Sequence, residues 1–249
     1  MLIAFHHSIS NLLFSCYINL WLLLHLMAFE KMKKKINNEK LMIWDFSLRI
    51  FHFGLILLVM GSIFTAKADL LSIHEYFGLC LLGLIFFRII WGFVGTYYSR
   101  FESFNFSLEK ALTQFSKDYK SSSVRTPIGS YSTLVFLIVI LVLTISGLFS
   151  SDDILYDGPL TFLMPKYINF WTLIHNIFHY FLYSLTIFHL VAICYYQFFK
   201  KNMIIQRIVY GYSKTLDIDL VLIKDKSMKG ILLLFICVFL PFIIFKIVI

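Results

Sequence analysis

The chain has 249 residues, 59% of them hydrophobic and only 14% charged, with 28 phenylalanines and a net charge of +8. Soluble domains average about a quarter charged residues, so an ordinary globular core is excluded. Long apolar blocks mark an integral membrane protein instead, and no basic, aromatic-interleaved stretch points to nucleic acid as a partner.

Residues 1–41 form an N-terminal extension. Its apolar part, NLLFSCYINLWLLLHLMAF, reads either as an extra span or as a signal-like segment that lacks Lys or Arg ahead of it. A start at Met32, in MKKKINNEK, is a third reading. Apolar blocks follow at 48–66, 71–97, 129–150, 171–199 and 231–249. Each reaches the roughly 20 residues that a helix needs to cross the hydrocarbon core, where only a helix satisfies its own backbone. The expected fold is therefore all-α: a four-helix membrane bundle over 42–210, a cytoplasmic linker over 211–230 and an added C-terminal helix over 231–249. The linker contains DIDLVLI, an alternation compatible with a strand, and the last helix carries Pro241, tolerable as a kink.

Lys and Arg orient the spans. The run 31–49 holds six, the loop 98–128 five and the segment 200–229 seven. By contrast, 67–70 holds only Lys67, and 151–170 holds only Lys166 beside Asp152, Asp153 and Asp157. The positive-inside rule places the first three in the cytoplasm and the two short loops outside. Trp44, Trp91, Trp171, Tyr97 and Tyr98 read as interface anchors. Cys16, Cys80, Cys194 and Cys237 all lie in apolar blocks without C-x-x-C or C-x-x-C-H spacing. That argues against covalent c-type haem and a local zinc site, and for small apolar side chains.

Five histidines lie in the central helices: His52, His74, His175, His179 and His189. Ionisable groups in a membrane are costly and are functional candidates for that reason. His175 and His189 are 14 residues apart, which is about 21 Å of rise and within roughly 40° of the same helix face. With alternating helix directions, His175 is level with His74 on the outer side, and His189 is near the level of His52 on the inner side. Two imidazoles facing across a bundle are what a six-coordinate b haem requires, so the pattern predicts two haems, one above the other. His179, one turn from His175, reads as a hydrogen-bonding neighbour or an alternative outer ligand.

Arg88 lies 14 residues after His74 and so faces the inner level, where it suits a haem propionate. Arg49, one turn before His52, suits the same site or simple interfacial snorkelling. Gly78, four residues after His74, would let a flat macrocycle or a neighbouring helix approach. Asp45 and His179 are candidate proton-handling groups if a quinone reacts here.

The motifs IWDFSLRIFHF, HEYFGLCLLGLIFFRIIWGFVG and IHN…FHL resemble those of the bacterial cytochrome b561 / nickel-iron hydrogenase b-type cytochrome family, over about 42–210. The resemblance implies a four-helix cytochrome that passes electrons through the cytoplasmic membrane, with ligands falling on His52, His74, His175 and His189. It also implies a redox partner such as a c-type cytochrome or hydrogenase, and quinone as a further carrier. Asn176 departs from the Glu often found after the first His of the fourth helix. A homodimer is a further candidate assembly, and lipid is the implied surrounding.

Other classes remain open on the residues alone. A transporter or haem-handling protein without redox turnover predicts broken helices and a central polar cavity. A structural anchor with degenerate histidines predicts no haem at all.

Overall fold

The computed structural model describes residues 41–114, 126–152, 154, 156–213 and 226–248. The first 40 residues and the DIDLVLI alternation lie outside the described residues. The helices are α1 (Phe46–Lys67), α2 (Leu71–Val94), α3 (Leu108–Thr113) and α4 (Pro127–Leu148). They continue with α5 (Ile168–Cys194), α6 (Ile204–Tyr210) and α7 (Ser227–Val248). A π-helical turn, Tyr195–Phe199, extends α5. The described strands, β1 (Leu41–Met42) and β2 (Tyr212–Ser213), pair antiparallel at the two ends of the bundle domain. Five helices, α1, α2, α4, α5 and α7, are long and apolar enough to cross a membrane.

Caps set the helix starts slightly ahead of the apolar blocks. Asp45 accepts from the Leu48 amide at 2.8 Å and begins α1. Thr126 accepts from the Gly129 amide at 3.2 Å and begins α4, with Pro127 in the first turn where it costs no helix bond. α7 starts four residues before the apolar block because its entry is tied down. Ser47 donates to the Ser227 carbonyl at 3.2 Å, and Lys226 donates to the carbonyls of Val94, the last residue of α2, and of Gly95 just after it, at 2.9 and 3.0 Å.

α2 is the central span. α1, α4 and α7 all pack on it, whereas α5 packs along α4. A Cβ on Gly83 of α2 would lie 2.5 Å from the Cys237 carbonyl of α7, so these two backbones meet directly. α5 buries only Leu182. Its Phe181 and Phe188 join Phe64 and Phe93 among the exposed phenylalanines of a lipid-facing surface.

Two aromatic expectations are corrected. Trp91 and Tyr98 are 2% and 5% exposed and are not interface anchors. Trp91 stacks on Phe87 and donates from Nε1 to Asp45 at 3.2 Å, a partner supplied by the start of α1 that α2 alone does not reveal.

Candidate functional site

The outer pair is built from α2 and α5. His74 and His175 face each other with ring centroids 6.2 Å apart and planes at 88°. Each ring is held from behind by a backbone carbonyl. His74 Nδ1 lies 2.9 Å from the Ser62 carbonyl, with the Ser62 hydroxyl at 3.2 Å. His175 Nδ1 lies 3.0 Å from the Leu143 carbonyl, with the Ser146 hydroxyl at 3.2 Å. A carbonyl only accepts, so Nδ1 must carry the proton on both rings and Nε2 keeps its lone pair. A metal–imidazole bond is about 2 Å, so a metal between two imidazoles holds their ring centres roughly 6 Å apart, as they stand here. Gly147 gives the His175 ring its room: a Cβ there would lie 3.2 Å from Cε1. Gly78 is open on its own side, with nothing within 4 Å of a built Cβ.

The inner pair comes from α1 and α5. His52 and His189 lie within electrostatic range of each other. The Trp44 ring meets His52 edge-on at 6.2 Å, and Phe136 meets His189 at 5.3 Å. His52 Nδ1 is buried without a hydrogen-bond partner among the described residues. Such a group is costly to leave unpaired, which suits a site that takes a ligand.

Arg88 is 1% exposed at the inner level. Its guanidinium carbon sits 4.7 Å from the Phe101 ring centre and 5.8 Å from that of Phe104. Nη1 and Nη2 are buried without hydrogen bonds among the described residues, an arrangement that suits an acidic group such as a propionate. Arg49 is engaged by protein: Nη1 donates to the Val209 carbonyl at 2.8 Å, near the end of α6, and its carbon sits 5.4 Å from the Phe46 ring. His179 packs on Tyr180 and Tyr183, at 3.9 and 5.4 Å between ring centres.

Several contributors were not visible in the sequence. The carbonyls of Ser62 and Leu143 leave no signal, because every residue has a carbonyl. Asp45 is a buried hub. It accepts from Leu48 N, Trp91 Nε1, Thr96 Oγ1 and the Ser99 hydroxyl. In the loop after α4, Tyr156 donates to Glu75, the residue after His74. Burial, followed by this bond to Glu75, raises the Tyr156 pKa. Arg207, in α6, has its pKa lowered by burial.

Comparison with protein families matches the model described as prokaryotic cytochrome b561 to residues 43–211, more than half of the chain. No curated protein and no solved structure matches it. The matched span takes in every histidine and arginine described above and ends ahead of α7.

Proposed function

The chain belongs to the prokaryotic cytochrome b561 family, a family of transmembrane b-type cytochromes, and from that premise we propose that it carries electrons through the membrane on two b haems. His74 and His175 hold the outer haem, and His52 and His189 the inner. The observation that carries this reading is the outer pair: two imidazoles 6.2 Å apart, each with Nδ1 turned to a carbonyl. When bound, haem b supplies one-electron exchange at its iron.

The chain's own groups do the rest. The Ser62 and Leu143 carbonyls fix the tautomer and ring plane of the outer ligands. Arg88 offers its Nη groups to a propionate of the inner haem. Arg49, bound to Val209, adds positive charge one turn before His52. The apolar spans exclude water and lower the local dielectric, which strengthens each of these charges.

The orientation follows the basic loops, with the loop between α2 and α4 in the cytoplasm of a bacterial inner membrane. Electrons pass between a redox partner at the membrane surface, of the c-type cytochrome or hydrogenase kind, and quinone or another carrier. A second copy of the chain is a further candidate partner.

The test is the haem-to-protein ratio of the purified protein, by pyridine haemochrome and reduced-minus-oxidised spectra. About two b haems per chain are expected for a bis-imidazole pair at each level. His175→Ala should remove the outer haem alone, and His52→Ala the inner alone. Protein without haem, from cells able to supply it, overturns the reading.

A further inference from the structure

The cytoplasmic end of the bundle holds a buried acid and a buried base that ligation does not use. Asp45 and Arg88 are each 1% exposed. They lie within electrostatic range of each other. The Asp45 hydrogen bonds go to neutral donors. One carboxylate oxygen takes the Leu48 amide at 2.8 Å, and the other takes Trp91 Nε1 at 3.2 Å, Thr96 Oγ1 at 2.7 Å and the Ser99 hydroxyl.

These donors have a shared geometry. Trp91 is one turn beyond Arg88 on α2. Thr96 and Ser99 form the turn that leaves α2 and leads to Phe101 and Phe104. Those are the rings that flank the Arg88 guanidinium, at 4.7 and 5.8 Å. The acid at the start of α1 therefore holds the far end of α2, and through it the aromatic clamp on Arg88. Gly92 keeps the clamp close, since a Cβ there would strike the Phe101 ring.

Resting on the haem reading above, we propose that Asp45 is a positioning residue and counter-charge for Arg88, and that the two set the potential of the inner haem in opposite directions. The physical basis is charge in a low dielectric. A reduced haem carries one more negative charge than an oxidised one. A nearby guanidinium therefore favours reduction and a nearby carboxylate opposes it. Both charges are shielded from water, so neither is damped by solvent. The outer haem lies about 20 Å away by helical rise and feels the pair weakly.

The experiment is redox potentiometry of the purified haem-loaded protein, with mediators and dithionite as reductant, resolving both haems. Asp45→Asn keeps a carbonyl acceptor for the Leu48 amide and loses the charge, while the hydroxyls of Thr96 and Ser99 can turn to accept. It should raise the inner potential. Arg88→Gln should lower it, the double variant should return towards the parent, and the outer potential should stay in place in all three.

An unmoved inner potential in Asp45→Asn overturns the proposal, as does a shift in the same direction as Arg88→Gln, because a merely loosened fold would move both alike. If Asp45→Asn does not accumulate, Thr96→Val with Ser99→Ala makes the same test. Two donors are then lost, the carboxylate is less neutralised, and the inner potential should fall; no shift overturns the proposal. Two haems with parental potentials sink only this inference, whereas haem-free protein sinks the haem reading and this inference with it.

Discussion

Gly147 stands against the His175 ring so closely that a Cβ built on it would lie 3.2 Å from Cε1 and 3.4 Å from Nδ1. The ring cannot easily yield, because Nδ1 is already held by the Leu143 carbonyl at 3.0 Å. Gly147→Val should therefore turn the imidazole away from His74 and cost about 1–3 kcal/mol of overpacking. The expected readout is loss of the outer haem with the inner haem retained. Two haems with parental spectra would show that the ring has more freedom than this packing implies.

The hydroxyls beside His74 and His175 are expected to matter little. Ser62→Ala and Ser146→Ala each remove a contact at 3.2 Å but leave the carbonyl that holds Nδ1. Neutral hydrogen bonds of this kind contribute about 0.5–1.5 kcal/mol. Both variants should keep the full haem ratio, as measured by pyridine haemochrome. Loss of haem from either would move the orienting role from backbone to side chain.

α7 should stabilise the bundle without contributing to the ligand set. Gly83→Val puts a branched side chain where only 2.5 Å separates a Cβ from the Cys237 carbonyl. Overpacking of about 1–3 kcal/mol should lower the melting temperature of the solubilised protein. The haem ratio below the transition should stay that of the parent, because α7 carries no histidine. A lost haem would show that α7 acts on ligand geometry through α2.

The loop between α4 and α5 should depend on alkaline pH through Tyr156. Burial, followed by the hydrogen bond to Glu75, raises its pKa. The folded protein then holds the phenolic proton more tightly than the unfolded chain does. The resulting stability is full below about pH 10, the ordinary phenol value, and is lost as the pH rises beyond it. Tyr156→Phe removes this contribution. The difference in melting temperature between parent and variant should shrink above about pH 10. A constant difference across that range would dismiss the role of the phenol.

Much of this architecture follows from patterns that are local in sequence. Span positions come from apolar runs longer than the hydrocarbon core, and the levels of His74, His175, His52 and His189 come from helical rise. The Asp45 network depends on Trp91, Thr96 and Ser99, which are 46, 51 and 54 residues away, and no periodicity reports such a meeting. Arg49 illustrates the same limit. Its spacing from His52 suits a cofactor, but its hydrogen bond goes to Val209, 160 residues along the chain. Trp91 looks like a membrane-interface residue by position and is a core residue by contact.

The packing of α5 along α4, with α1 and α7 gathered on α2, divides the proposed ligands between two sub-bundles. One carries His52 and His74, the other His175 and His189, and each proposed haem takes one imidazole from each side. Cofactor insertion would then act as a cross-link in assembly, closing two hairpins that share the contact between α2 and α4. α7, which follows both hairpins in the chain, must travel back to α2, where Gly83 and the tether from Lys226 receive it. α7 then packs against the half that holds His52 and His74.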